Sequence, residues 1–376
     1  MIKVVILQHR LLHYRVAFFE LLREKCIKLG IELNVVHGQA SKRESVKKDE
    51  GGLPWALKVE NRFWEFGARD LVWQPFPLEM RDADLVVVMQ ENRILSNYPL
   101  LLKRYFNGPK VAYWGHGVNF QSDAPSGLRE RWKQFLLTKV DWWFAYTEMT
   151  VDLLLSAQYP MDKITRLDNA IDTNGFKDDL ASFSEARVVE EKKKLGYASS
   201  APVGLFCGSL YPDKKLDLLV GAADYIRQRV PGFGLVVIGD GPSMPLLQEA
   251  AESRPWLQLL GVQKGFPKAL YFRMADVMLN PGLVGLHIVD AFCASLILCT
   301  TDNARHSPEV AYLKNGINGL MISDSVEAYG QAIVELFADP DRLARMKNAS
   351  LADSNHYTME NMAENFANGI KSCLES

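Results

Sequence analysis

The segment LNPGLVGLHIVDAFCA, residues 279–294, brings together residue types that a phosphate and a ribose would need. A short apolar strand, Val277–Leu279, stops at Asn280-Pro281-Gly282, a second glycine follows at Gly285, and a helical pattern begins. Glycine lets the backbone turn tightly, and the N–H groups at a helix start have no partner inside the helix, so such a turn can offer them to an anion. Asp290 lies on the same helix, at a spacing that lets it accept hydrogen bonds from ribose hydroxyls. A second candidate is AYWGHGVN, residues 112–119, where His116 stands between two glycines at a strand end. In doubly wound α/β folds the carboxyl ends of strands face ligand. The third is QHRLLHYRVAFFELL, residues 8–22, which places Arg10, His13, Tyr14 and Arg15 where the first strand ends. Basic groups there suit an anionic ligand. The same residues also read as structure, with Tyr14, Phe18 and Phe19 in the core and Arg15 as a cap. Two Asp-x-Asp triplets, Asp82-Ala83-Asp84 and Asp339-Pro340-Asp341, have the spacing of a divalent-cation site on a diphosphate. The first precedes a strand and the second surrounds a helix-starting proline, so no metal is expected.

These groups need a scaffold, and the apolar pattern supplies one. Short apolar runs lie at Ile2–Leu7, Ile31–Val36, Leu85–Met89, Lys110–Trp114, Trp142–Tyr146 and Ile164–Leu167. Others lie at Val203–Cys207, Gly234–Ile238, Leu257–Leu260, Val277–Leu279 and Leu296–Thr300, and helical patterns separate them all. Continuous apolar runs imply strands buried on both faces, hence parallel sheets. Strand-helix alternation in two series predicts two doubly wound domains. The boundary falls in the polar stretch Thr173–Ser200, which contains a charged helix-prone piece, Glu185–Leu195. The last segment, Tyr357–Ser376, reads as one helix.

At 376 residues the chain can bury two ordinary cores. Its 48% apolar and 23% charged residues are a globular composition, and a formal net charge of −2 gives no general field for a polyanion, so nucleic acid is not expected as a partner. The five cysteines form no CxxC pair and two lie in apolar runs, which reads as reduced, buried thiols of a cytoplasmic protein. No apolar run is long enough to span a bilayer. The basic, Trp-bearing stretch 127–143 has two readings, an ordinary domain helix and a peripheral contact with the cytoplasmic face of the inner membrane.

The motifs in series resemble a known family. Residues 279–294 resemble the donor-site signature PSxxEGFGxxxxEA of retaining glycosyltransferases with the GT-B fold, of the family 4 type. Asp290 replaces the second Glu and Gly282 the first, so the nucleotide half looks kept and the sugar half altered. GSLYPDKKLDLL, residues 208–219, resembles GRLxxxKGxxxL, with Gly208 at the turn, Ser209 in place of Arg, and Lys214 at the Lys that reaches the donor phosphates. VVIGDGP, residues 236–242, resembles IGxGP and reads either as a turn or as a ligand contact. In the run 259–282, Val262 and Gln263 match the place that frames the base. LDNAIDTNGF, residues 167–176, resembles the family's hinge, and HSPEVAYLKNGINGL, residues 306–320, its GGxPExxxxGxxGL, with Glu309 either stabilising donor loops or approaching the sugar. His116 matches a His near the donor sugar, and Tyr14-Arg15 with Phe18–Phe19 match the YRxxFFxxL opening of polysaccharide-building transferases.

The resemblance covers about residues 105–321 and implies a GT-B architecture: two Rossmann-like domains facing a cleft, with the terminal helix crossing back to the first. The acceptor-side domain would be residues 1–172 with the helix at 357–376, and the nucleotide-sugar domain residues 173–356. The implied reaction transfers a hexosyl unit from a nucleotide diphosphate sugar, UDP ahead of GDP, to a glycan or lipid-linked acceptor in cell-surface polysaccharide or lipopolysaccharide synthesis, with retention. Lys214, the N–H groups of Gly285, Leu286 and His287, and His116 would stabilise the transition state without cofactor or metal. Arg10, His13, Tyr14 and Arg15 would meet the acceptor. Gly282 would mark an altered sugar pocket, in which a restored carboxylate lowers activity. A nucleotide-sugar 2-epimerase of the same fold and a non-catalytic sugar-nucleotide-binding protein are the alternatives.

Overall fold

The computed structural model describes residues 2–45, 49–67, 69–117 and 128–376. The chain divides into two compact units, Met1–Asp172 with Thr358–Ser376, and Thr173–Tyr357.

The first unit is built on strands β1 (Ile2–Gln8), β2 (Ile31–His37), β3 (Leu57–Lys58), β4 (Arg62–Phe66), β5 (Arg69–Trp73), β6 (Leu85–Met89), β7 (Lys110–Gly115), β8 (Trp142–Ala145) and β9 (Ile164–Arg166). Seven form one parallel sheet in the order β3-β2-β1-β6-β7-β8-β9, and β4 and β5 pair as a separate antiparallel hairpin. The apolar runs are parallel strands because helices cover both faces. On one face lie Phe18, Phe19 and Leu22 of helix Val16–Lys28 together with Phe366 and Ile370 of helix Met359–Glu375. Phe366 stacks on Phe144 with ring centroids 4.1 Å apart and meets Trp114 edge-on at 5.1 Å. Gly369 permits that approach, since a Cβ there would lie 2.3 Å from Thr165 Oγ1.

The second unit has β10 (Val203–Cys207), β11 (Gly234–Ile238), β12 (Leu257–Leu259), β13 (Val277–Leu279), β14 (Ile297–Thr301) and β15 (Gly319–Ile322). They form one parallel sheet in the order β12-β11-β10-β13-β14-β15. Two helices, Asn174–Ser182 and Glu185–Lys194, open this unit, so the polar boundary stretch is itself structured. Both Asp-x-Asp triplets have structural partners: Asp84 accepts from the Lys3 amide and Asp82 pairs with the Lys3 ammonium, while Asp339 caps helix Pro340–Asp353 through the Arg342 amide.

Candidate functional site

Each sheet changes direction once in strand order, and in parallel α/β sheets that switch point opens a crevice at the strands' carboxyl ends. In the second unit it lies between β10 and β13. The loops leaving these strands, Gly208–Lys215 and Asn280–Leu286, pack backbone to backbone. Leu283 donates its amide to Asp213 O at 2.9 Å, and the Lys214 ammonium donates to Leu283 O. Asn280 donates from Nδ2 to the carbonyls of Gly282 and Leu283, both at 3.1 Å. The sequence folds this way because Lys215 takes the left-handed conformation, φ 50° and ψ 52°, and starts helix Leu216–Arg229.

Lys214 is only 4% exposed. Burial lowers its pKa to about 8, and no carboxylate among the described residues lies within ion-pair distance of it. An ammonium has three N–H donors, and one is spent on Leu283. Asp290, on helix His287–Cys293, is buried and pairs with Lys268 Nζ at 2.7 Å. Burial raises the Asp290 pKa and Lys268 partly offsets it. Lys268 itself lies over the rings of Phe176 and Phe272, at 4.9 and 5.2 Å. His287 Nε2 is shielded from solvent with no hydrogen-bond partner, and burial, followed by the nearby Lys214, Lys268 and His306, keeps the ring neutral. His306 accepts the Val284 amide on Nδ1 at 3.2 Å and binds Thr301 O through Nε2 at 2.8 Å, which makes Nε2 the protonated nitrogen. Lys214, His287 and Asp290 therefore share one neighbourhood with Lys268 and His306. The last two are absent from the sequence-derived set. Their signal was faint: Lys268 sits inside a helix pattern and His306 beside the more conspicuous Glu309. Glu309 is buried in a short 3-10 turn, Pro308–Tyr312.

Gly208 and Ser209 lie on the first loop, Ser209 exposed. The turn Gly239-Asp240-Gly241 packs against that loop: a Cβ on Gly239 would lie 1.9 Å from Gly208 O, and one on Gly241 2.3 Å from Leu210 O. Of its two sequence readings, the turn is the one these contacts support. Val262 is exposed, and Gln263 spends its amide on Leu260 O at 2.7 Å.

One expectation is overturned by packing. Gly282 cannot mark a vacated carboxylate place in a sugar pocket, because a Cβ there would lie 2.1 Å from Asp213 O and 2.4 Å from Lys214 Cα. No side chain can project from this position while the two loops are closed on each other.

The first unit's switch point lies between β1 and β6. It is filled by the chain's own charges. Arg93 pairs with Glu44, Asp70 and Glu91 at 2.8, 3.0 and 2.7 Å, and His9 Nε2 lies 3.1 Å from Glu44. Burial opposes charge on Glu44, but hydrogen bonds from His9 and Arg93 outweigh it and hold the carboxyl well below its ordinary range. Arg10 is buried and pairs with Asp49 at 2.5 Å. Arg15 is buried against the rings of Trp114, Tyr14, Tyr146 and Phe18 and donates to Asn169 Oδ1 at 2.9 Å. Both guanidinium groups thus have structural partners, in keeping with the structural reading that stood beside their assignment to an acceptor. His13 and Tyr14 keep exposed surface, and His13 Nδ1 contacts Asp49 O at 3.1 Å. His116 follows β7, its ring 4.3 Å from that of Tyr146. Gly117 after it has φ +79°, a left-handed conformation that favours glycine. Val118 and Asn119 of the same motif lie outside the described residues.

Comparison with known proteins agrees with this architecture. The Anabaena protein HepE, solved in complex with UDP, superposes with a TM-score of 0.69 over 99% of this chain and 100% of its own, at 13% identity. The fold is GT-B. Within it, residues 201–339 match the family described as "Glycosyl transferases group 1". The alpha-monoglucosyldiacylglycerol synthase of Acholeplasma laidlawii is 27% identical over 180 residues, 46% of this chain and 44% of that protein. A GDP-mannose-dependent alpha-(1-6)-phosphatidylinositol monomannoside mannosyltransferase of Mycolicibacterium smegmatis is 26% identical over 221 residues, 55% of this chain and 54% of that one. The chain thus spans about half the length of these curated relatives. Against the GT-B signature, the interval from Pro281 to Asp290 is three residues shorter than from its Pro to its second Glu.

Proposed function

We propose that this chain is a glycosyltransferase whose second unit holds a nucleotide diphosphate sugar, and that it transfers a hexosyl unit with retention to a glycan or lipid-linked acceptor. The observation that carries the reading is Lys214. A buried ammonium with no carboxylate partner and a depressed pKa is costly to keep unless an anion completes it. The backbone N–H groups of Gly285, Leu286 and His287 supply further donors beside it. Asp290, oriented by Lys268, takes the ribose hydroxyls. The match of residues 201–339 to group 1 glycosyl transferases supports the same chemistry, as do relatives named for lipid-linked acceptors. Peripheral work at the cytoplasmic membrane face fits such an acceptor, and no helix among the described residues is long and apolar enough to cross a membrane. In this reading no covalent step is assigned, and the Lys214 ammonium carries the charge of the leaving diphosphate. His116 is assigned to turnover on the resemblance of its motif alone.

The test is hydrolysis and transfer with a panel of UDP- and GDP-sugars, with and without EDTA. Turnover of one donor that survives EDTA and disappears in Lys214→Ala is the expected result. No turnover of any donor, with nucleotide diphosphate still bound, would select the non-catalytic alternative.

A further inference from the structure

The hairpin β4–β5 belongs to neither sheet, and its two faces differ sharply. The register pairs Arg62 with Trp73, Trp64 with Leu71, and Phe66 with Arg69. Directly opposed residues share a face, and successive residues alternate between faces. One face therefore carries Arg62, Trp64, Phe66, Leu71 and Trp73. The other carries Phe63, Glu65, Asp70 and Val72. The second face is the anchor. Val72 is fully buried, exchanges backbone hydrogen bonds with Arg93 and Leu95 at 2.9 and 2.7 Å, and Asp70 pairs with Arg93. The first face points away from this anchor, with Trp64 43%, Phe66 63% and Trp73 37% exposed.

A lone two-stranded ribbon is marginally stable, and exposing three large aromatics on it gains nothing for the fold. We infer that this face is a docking surface for an anionic lipid bilayer. Its chemistry selects that occupant. Trp and Phe are the residues that settle at the level of lipid headgroups. Arg62 has no carboxylate partner among the described residues, and the hairpin's own acids, Glu65 and Asp70, lie on the opposite face. A face with aromatic and cationic groups and no anion complements a negative surface. The described side chains of this face include no amide or carboxylate, the groups with which a sugar platform would bind hydroxyls in both directions. The inference does not rest on the proposed transferase activity.

The experiment is sedimentation of the full chain with vesicles of phosphatidylcholine alone and of phosphatidylcholine with roughly one third phosphatidylglycerol. Binding is expected to the anionic vesicles, falling as salt is raised. Arg62→Ala should weaken it about fivefold, the equivalent of the ~1 kcal/mol that one cation contributes at such a surface. Trp64→Ala with Phe66→Ala should abolish it, whereas Trp64→Phe with Phe66→Trp should keep it. Near-ultraviolet circular dichroism and melting check that the variants remain folded, and donor hydrolysis should be unchanged in all of them. Absence of binding to either vesicle, or equal binding by the wild type and the double alanine variant, would overturn the assignment. So would a wild-type dimer that the alanine pair converts to monomer, or an oligosaccharide ligand lost in that pair.

Discussion

Lys214 gives the most direct prediction about a single residue. Its folded pKa of about 8 lies below the ordinary 10.5, so the protonated form is the one that folding penalises. Below about pH 8 both folded and unfolded chains carry the proton and the penalty is complete; above about 10.5 neither does. The ligand-free protein should therefore gain stability as pH rises through that window, and Lys214→Met should flatten the gain, read as Tm against pH. A bound diphosphate restores the charge, so nucleotide binding near the middle of the window takes up a proton, seen as a buffer-dependent enthalpy in calorimetry. Lys214→Ala should cost about 2–4 kcal/mol of donor transition-state binding. Asp290→Ala should weaken free nucleotide diphosphate as well as donor; a change confined to sugar selectivity would contradict the ribose assignment. Lys268→Met should weaken nucleotide by less, because Lys268 acts only through Asp290. His116→Ala should lower turnover while leaving nucleotide affinity intact.

Elements were legible where one local rule decided them. The apolar runs VGLFC and GLVVI gave β10 and β11 at their observed limits. The hairpin β4–β5 was not legible, because its apolar residues alternate with charge and its aromatics face outward, against the rule that aromatics mark a core. Strand β15 and helix Asn174–Ser182 were missed for another reason: each adjoins a Gly or Asp-rich turn that reads as loop until neighbouring elements cover it. Lys214, His287 and Asp290 could be named from sequence as candidates and do lie in one neighbourhood, whereas the pairing of Asp290 with Lys268 joins two helices and leaves no local trace. Gly282 was misread because spacing alone cannot separate a lost side chain from a shortened loop. Its packing on the Asp213–Lys214 backbone leads to a prediction for the loop pair as an element. Gly282→Ala should destabilise the protein by about 1–3 kcal/mol through overpacking and weaken nucleotide binding together with it. A variant with unchanged melting temperature would show that the loops are not closed on each other as described.

The whole molecule is discontinuous in sequence. Residues 173–357 form one unit without interruption, while the other needs residues 1–172 and 358–376 together. Fragment 173–357 should fold alone and bind nucleotide diphosphate. Fragment 1–172 should not fold, since it lacks the Met362, Phe366 and Ile370 side chains that close its core. Within the intact chain, Phe366→Ala should cost about 3–5 kcal/mol, measured by denaturant unfolding. The same helix orders events in time. A ribosome releases residues 1–172 long before the helix that completes them, so the nascent first half must wait, open on the face that Phe366 will cover, while the second half is made and folds. Residues 1–172 are thus sealed only after residues 173–357 have been made, and a polypeptide stalled before Phe366 would carry a completed second unit with an unsealed first one.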